Sequence, residues 1–323
     1  MRVREFADGC QVAQALLVRD LEVRRRSDGT HYLRLLVGDR TGSVPALVWE
    51  GGQRAREVCR RGEVAHFAGR YSLHPRLGPQ LEIEAVRPAA EHEYDNEQLL
   101  DGPTRAPEQM EADLRGLVAT VQDPHLRRLL GVVLGEDSPT WPSYRDAPAA
   151  KRYHQAYRHG LLEHSLSVAQ AVSAISATFP GIDRDVAVTG ALLHDIGKLE
   201  AYDVDGAAIS MSDHGRLYGE ISLGYYRVRR TIERLDGFPP ELAKAVLHII
   251  LSHHGSLAYG SPIVPCTREA TLVHMIDNLG GRLGSFDRLE KELLAGEHWS
   301  SYDEALGGGA YFCEHPEADR EAA

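Results

Sequence analysis

Gly190-Ala-Leu-Leu-His-Asp-Ile-Gly-Lys198 is the stretch that decides how this chain is read. An apolar helical turn runs straight into the pair His194-Asp195. Burying such a pair is costly unless it is hydrogen-bonded or bound to a metal. Taken alone, the pair could also be a buried hydrogen-bonded couple or a helix cap. It is not alone: His164, Glu220, His253-His254 and Asp277 lie on either side, most of them inside or beside apolar segments. His254 follows Ile249-Ile250-Leu251-Ser252-His253, and Asp277 ends Leu272-Val-His-Met-Ile-Asp. Polar ligands thus stand at one end, or on one face, of an apolar helix. Mixed imidazole and carboxylate donors favour Mn²⁺, Fe²⁺, Zn²⁺ or Co²⁺ over a thiolate-loving ion. Asp195 is the natural bridge between two ions, an arrangement that activates a water and stabilises the departing oxygen of a phosphoester. His274, three residues before Asp277, is expected to pack or to support a ligand. His248 is expected on a helix face, away from the site.

Outward from this stretch the chain is helical. Leu114–Val121, Gly160–Ala177, Arg184–His194, Tyr218–Leu235, Pro240–Leu251 and Arg268–Leu279 carry apolar residues at spacings of three and four. Proline at the start of the fifth occupies an allowed first-turn position. Residues 1–90 read differently. Leu16–Arg25, His31–Gly38, Ser43–Trp49, Glu63–Tyr71 and Gln80–Arg87 are short, partly alternating segments between turn signals such as Asp39-Arg-Thr-Gly42 and Glu50-Gly-Gly52. Five such strands can close into a small barrel of the oligonucleotide-binding (OB) type. The expected architecture is therefore multidomain β + α: an OB-like barrel over 1–90, an acidic linker over 91–111 and an all-α helical bundle over 112–323. Acidic, glycine-containing sequence from Asp303 onward predicts a partly frayed tail.

Composition narrows the function classes. With 323 residues, 43% hydrophobic and 26% charged, the chain is ordinary globular material for two domains. No stretch approaches 18 uncharged apolar residues and no signal-peptide run opens the chain, so a cytoplasmic protein with no membrane partner is expected. Cys10, Cys59, Cys266 and Cys313 lack CxxC spacing, which argues against a zinc ribbon or a disulfide framework. The net charge of −11 hides an asymmetry: residues 1–90 hold 15 arginines and 11 acids, and the rest is acidic. The one net-positive region is thus the β region, where a polyanion would be steered.

The ordered set His164…His194-Asp195…Asp277 resembles the signature of the HD-domain metal-dependent phosphohydrolases. With Tyr157-Arg-His-Gly-Leu-Leu-Glu-His-Ser-Leu166, Leu192-Leu-His-Asp-Ile-Gly-Lys-Leu-Glu200, Leu251-Ser-His-His-Gly255, Gly260-Ser-Pro262 and Thr267-Arg-Glu-Ala270, it is similar to the YhaM-type 3′–5′ exoribonucleases, an OB domain followed by an HD domain. The resemblance covers nearly the whole chain. It implies a first metal held by His164, His194, Asp195 and Asp277, and a second held by Asp195, His253 and His254. The remaining ligand of the family is a histidine in Gly-His-Ile, where this chain reads Gly219-Glu220-Ile221. Glutamate can ligate the same ion and would favour Mn²⁺ or Mg²⁺; alternatively His214 substitutes in a weaker second site.

Other candidates come from position. Lys198 follows Asp195 by three residues and is expected to meet a nonbridging phosphate oxygen. With Asp195 and His154 it forms the expected catalytic set. His159 and Arg268 are expected to contact substrate. In the barrel, Tyr32, Trp49, Phe67 and Tyr71 are candidate stacking groups among Arg24, Arg25, Arg26, Arg34 and Arg70. Tyr32 and Arg34 share one face of a strand, and Tyr32, Arg34, Trp49 and Arg25 complete the expected substrate-binding set. The resulting expectation is a two-metal enzyme, with Mn²⁺ ahead of Mg²⁺, Co²⁺, Fe²⁺ or Zn²⁺. It would degrade single-stranded RNA, and single-stranded DNA as a second substrate, to nucleoside 5′-monophosphates; the 3′ polarity and RNA preference are implied by the resemblance alone. Rival readings are a hydrolase of cyclic dinucleotides or nucleotide polyphosphates, and a nonenzymatic nucleic-acid-binding protein. Composition leaves an oligomer open.

Overall fold

A computed structural model describes the chain except residues 27–28, 50–51, 75–77, 152–154, 207, 294–296 and 314–323. Two compact units divide it: residues 1–101, 204–208 and 285–323 form one, and 102–203 with 209–284 the other.

The first unit is built on five strands, β1 (Gln11–Arg25), β2 (His31–Asp39), β3 (Gly42–Val48), β4 (Val64–His74) and β5 (Gly78–Pro88). They close into a barrel in the order β1-β2-β3-β5-β4, with β4 pairing back onto β1. Only β3 and β5 run parallel, through Ala46↔Leu81 and Leu47↔Glu82. This is the OB arrangement, and closure removes exposed edges. Alternation sorts the side chains: Leu33, Leu35 and Val37 of β2 are buried, while Tyr32 and Arg34 face out. Gly69 sits at a register shift where a Cβ would lie 2.1 Å from the Glu82 carbonyl oxygen, so a side chain there would force β5 away.

All five expected strands form. Helix α1 (Gly52–Val58) was not anticipated, because Glu50-Gly-Gly52 reads as a turn. It is held by packing, since Ala55 and the adjacent Cys59 enter the barrel core. The segment read as a linker carries a 3₁₀ turn at Glu91–Glu93, helix α2 (Asn96–Leu99) and the start of α3 (Pro107–Ala119). The described residues near 300 fold back on themselves, where a frayed tail was expected from Asp303; residues 314–323 lie outside the described residues. Bridges Trp299↔Tyr311 and Asp303↔Gly308 close a small hairpin with His298, Trp299 and Tyr311 in ring contact.

The second unit is helical. After α3 come α4 (Pro124–Leu134), α5 (Trp141–Asp146), α6 (Gly160–Ser176), α7 (Arg184–Leu193) and α8 (Lys198–Ala201). A short β6 (Tyr202–Asp205) and β7 (Ala208–Met211) follow, then α9 (Asp213–Tyr218), α10 (Glu220–Ile232), α11 (Pro240–Ser252) and α12 (Arg268–Glu292). Asp123 and Asp183 cap α4 and α7 by accepting from the first free backbone amides. A continuous core of leucine, valine and isoleucine joins α4, α6, α7 and α11. At Gly190 of α7 a Cβ would lie 2.3 Å from Ile249 of α11, so this glycine sets how closely the two helices pack. Among the described residues no helix is long and apolar enough to cross a membrane.

Candidate metal centre

The ends of α7 and α11 use the same local device. A helix terminus leaves carbonyls without partners. His194 follows α7, and its Nδ1 lies 2.6 Å from the Ala191 carbonyl; His253 follows α11, with Nδ1 2.8 Å from the Ile250 carbonyl. Each ring is pinned through Nδ1–H, which leaves the Nε2 lone pair to face inward. His164 of α6 and His254 are oriented likewise, through the Gln155 side-chain oxygen at 3.1 Å and the Tyr259 carbonyl at 2.9 Å. All four histidines thus turn Nε2 into one region.

Two groups of donor atoms result, each within 4.8 Å of one another: His164, His194 and Asp277; and Asp195, Glu220, His253 and His254. Asp195 stands between them. Its Oδ2 is 3.3 Å from His164 Nε2 and 3.4 Å from His194 Nε2, and its Oδ1 is 3.5 Å from His253 Nε2. Asp277 Oδ1 lies 3.1 Å from His164 Nε2, and Glu220 Oε1 lies 3.4 Å from His254 Nε2. Glu220 therefore occupies the position left open by Gly219-Glu220-Ile221. His214 does not; it is exposed on α9 and stacks on Tyr218.

Gly197 explains how Glu220 gets there. A Cβ on Gly197 would lie 1.9 Å from the Glu220 carbonyl oxygen and 2.5 Å from the Gly224 amide nitrogen. The first turn of α10 can approach His194-Asp195 only because this residue has no side chain. Glu220 also begins α10, where the helix dipole favours a carboxylate.

The donor chemistry fits divalent cations. Asp195 Oδ1 and His253 Nε2 are buried without a hydrogen-bond partner. His164 and His194 bring their Nε2 atoms within 3.2 Å while both Nδ1 atoms are engaged, so two ring donors converge on one point. Metal removed, protons and Lys198 balance the charge. Burial disfavours the His164 imidazolium, but hydrogen bonds to Asp195 and Asp277 outweigh it and raise its pKa to about 9. Burial likewise opposes ionisation of Asp195 and Glu220, yet Lys198 leads the neighbouring charges that hold both below the usual carboxylate range. Lys198 Nζ donates to Asp195 Oδ2 at 2.6 Å. His253 is pushed down by burial; in its half-buried neighbour His254 desolvation is outweighed by the hydrogen bond to Glu220, which raises it.

The remaining candidates are placed elsewhere. His159 begins α6 with a left-handed φ of 70°, and its Nδ1 lies 2.9 Å from the Arg145 carbonyl; the ring joins neither ligand group. Arg268, at the start of α12, donates to the Gly181 carbonyl at 3.2 Å. His154 lies outside the described residues. His274 Nδ1 is 2.7 Å from the His253 carbonyl, and His248 Nε2 accepts from the Cys266 amide. Gln155 has no sequence signal: it precedes His164 by nine residues, outside the helix, and meets it only through a loop in which Gln155 itself has φ 59°.

On the barrel, Tyr32 and Trp49 lie with ring centroids 4.9 Å apart, and the Arg26 guanidinium sits 4.5 Å from the Trp49 ring centre. Trp49 is 39% exposed, and Arg34, two residues from Tyr32, is exposed on the same face; Arg25 is exposed but lies opposite His31 in the register and falls on the other face of the strand. This is an outward aromatic-basic face. Phe67 and Tyr71 are excluded from it, since both are buried in the barrel core.

The HD domain family matches residues 161–281. The 3′–5′ exoribonuclease YhaM of Bacillus subtilis is 29% identical over 300 residues, covering 90% of this chain and 91% of that protein. YhaM of a Geobacillus species is 29% identical over 294 residues, covering 90% and 88%. Among solved structures, the second OB-fold domain of replication protein A from Methanococcus maripaludis aligns at TM-score 0.23 and 18% identity, over 27% of this chain and 91% of that one. The barrel's own strand order, and not that overlay, defines it here. Residues 161–281 thus match the HD domain family, the barrel has the OB strand order, and along nine-tenths of its length the chain is similar to the YhaM-type 3′–5′ exoribonucleases.

Proposed function

We propose that this chain is a metal-dependent 3′–5′ exoribonuclease that hydrolyses single-stranded RNA, and single-stranded DNA as a second substrate, to nucleoside 5′-monophosphates. The observation that carries the reading is Asp195, 3% exposed, with one carboxylate oxygen toward each group of imidazoles. The direction of attack and the choice of RNA rest on the YhaM relatives.

His164, His194, Asp195 and Asp277 would hold one divalent ion, and Asp195, Glu220, His253 and His254 a second. Such a pair supplies Lewis-acid chemistry, activating a water for in-line attack and offsetting charge on the phosphate. The chain's own residues do the rest. The four Nδ1 hydrogen bonds hold the rings in the tautomer that ligates. Glu220 adds a hard oxygen donor, which supports Mn²⁺ ahead of Zn²⁺ or Co²⁺. Lys198 donates to Asp195, and its ammonium would be within reach of a nonbridging phosphate oxygen as a point charge. Tyr32 and Trp49 with Arg26 and Arg34 would offer stacking and charge for a strand regardless of sequence, and Arg25, at the end of β1, would add charge beside them. His159 and Arg268, both held by backbone carbonyls, would serve substrate through position and not through direct ligation. No membrane-spanning helix is described, and a cytoplasmic site of action accords with an RNA substrate.

The test is digestion of 5′-labelled single-stranded RNA by metal-stripped protein resupplied with Mn²⁺, beside the same oligomer blocked at its 3′ end. A descending ladder that the block prevents is expected. Intact RNA from protein with metal bound would overturn the reading and favour a small-nucleotide hydrolase.

A further inference from the structure

The metal centre opens to solvent beside His254, Glu220 and Asp277. Their side chains are 28%, 18% and 18% exposed, against 7% or less for the other four ligands. One rim of that opening is the turn that follows α11, and glycine dictates its course. Gly255 has φ 80°, and a Cβ there would lie 2.1 Å from the His274 ring, whose Nδ1 is held 2.7 Å from the His253 carbonyl. Leu257–Tyr259 then form a 3₁₀ turn that ends at Gly260, with φ 92°. The Ser256 carbonyl accepts from the amides of Tyr259 and Ser261, each at 3.1 Å. The Tyr259 carbonyl in turn lies 2.9 Å from His254 Nδ1. Backbone hydrogen bonds thus fix this turn and tie it to a ligand of the second group.

What the fixed turn carries outward is apolar. Tyr259 is 72% exposed and Leu257 71%, and Ile263 and Val264 follow, also exposed. Exposed apolar side chains grouped in this way mark a site of interaction. Tyr218, two residues before Glu220, is exposed too, but its ring already stacks on His214. Among the described residues no ring covers Tyr259. A protein partner seated on this rim would close the opening through which a phosphodiester must enter, so the occupant is part of the substrate. A phosphate held at the centre brings a nucleobase to the rim, and an aromatic face accepts any base. A platform fixed beforehand by its backbone loses little freedom when it is covered. We propose that Tyr259 is the stacking platform of a nucleobase subsite beside the second ligand group, and that it takes the base of the 3′-terminal nucleotide. This assignment rests on the exoribonuclease reading of the same centre.

The test uses the full chain loaded with Mn²⁺ and two single-stranded RNA oligomers that differ only in an abasic 3′-terminal nucleotide. Wild type should favour the normal oligomer about tenfold or more in kcat/KM for the first nucleotide released. Tyr259→Ala should raise KM for the normal oligomer by about the same factor, and the loss should fall on KM more than on kcat, because stacking is present in ground and transition states alike. On the abasic oligomer the substitution should cost less than about twofold, since the partner it removes is already missing. Tyr259→Phe keeps the aromatic face and should recover most of the loss. Metal content should match wild type, because the carbonyl that orients His254 is backbone. The wild-type preference tests the subsite even if Tyr259→Ala disturbs the turn. Equal turnover of the two oligomers by wild type, an unchanged KM in Tyr259→Ala, or an equal rise on both oligomers would overturn the proposal and leave the exoribonuclease reading intact. Wild type that degrades neither oligomer with metal bound would overturn that reading, and the subsite with it.

Discussion

The two ligand groups are built to different standards. His164, His194 and Asp277 come from three long helices that also form the core, and the two histidines are 6% and 1% exposed. In the other group, His253 follows α11 in the same manner, but His254 is oriented by a loop carbonyl and Glu220 by a glycine contact. One group takes its positions from packing that exists anyway, with the His164 ring alone aimed by a loop side chain, Gln155. The other depends on two local adjustments. Damage to the first should therefore look like loss of a scaffold, and damage to the second like a graded loss of affinity.

Asp195 belongs to both groups, so Asp195→Ala should erase the difference. Turnover should fall by about a thousandfold or more, with neither ion retained; metal content and single-turnover rate measure both. Gly197→Ala should separate the groups. The added carbon meets the Glu220 carbonyl, at a cost of about 1–3 kcal/mol in stability and with Glu220 displaced. One ion per chain should remain by elemental analysis, and equal loss of both would show that the groups are not independent. Gln155→Leu attacks the first group at its support. It should weaken that ion about 10–100-fold and spare the second, as calorimetry would show.

Protons offer a milder probe of the same contrast. His164 is raised to about 9 in the metal-free site, well above its ordinary value near 6.5. It is therefore protonated at neutral pH, and filling the first group must release that proton. Apparent affinity should climb by up to about tenfold per pH unit until pH 9 and then level. In the second group His253, kept neutral by burial, has no proton to release, whereas His254, raised by its hydrogen bond to Glu220, is the one ring there that can contribute. Titrations in buffers of different ionisation enthalpy count the protons. The smallest effect belongs to the barrel. Trp49→Ala should cost about 1–3 kcal/mol in binding a long strand and nothing on a dinucleotide.

How much of this was legible follows from what each feature depends on. The barrel strands were, because alternation and turn residues are local. The ligand residues could be named from type and position, since metals accept few side chains and those side chains are conspicuous in apolar sequence. Glu220 illustrates the limit: its type made it eligible, but only Gly197 explains why its backbone comes close enough. Helix α1 was hidden by its glycines and forms through Ala55 and Cys59 meeting the barrel. Gln155 was invisible because its partner is nine residues away through an irregular loop. The hairpin near 300 was missed because aromatic contacts, and not strand propensity, hold it.

The spread of the ligands along the chain has a consequence for biosynthesis. They run from His164 to Asp277 on five separate segments, and only the first group needs a residue of the last helix. A polypeptide still being translated can close the second group once α11 has emerged, but the first only after α12 has followed and docked, since long-range contacts form late. A centre that needs both groups is therefore armed in two steps, and α12 supplies the second.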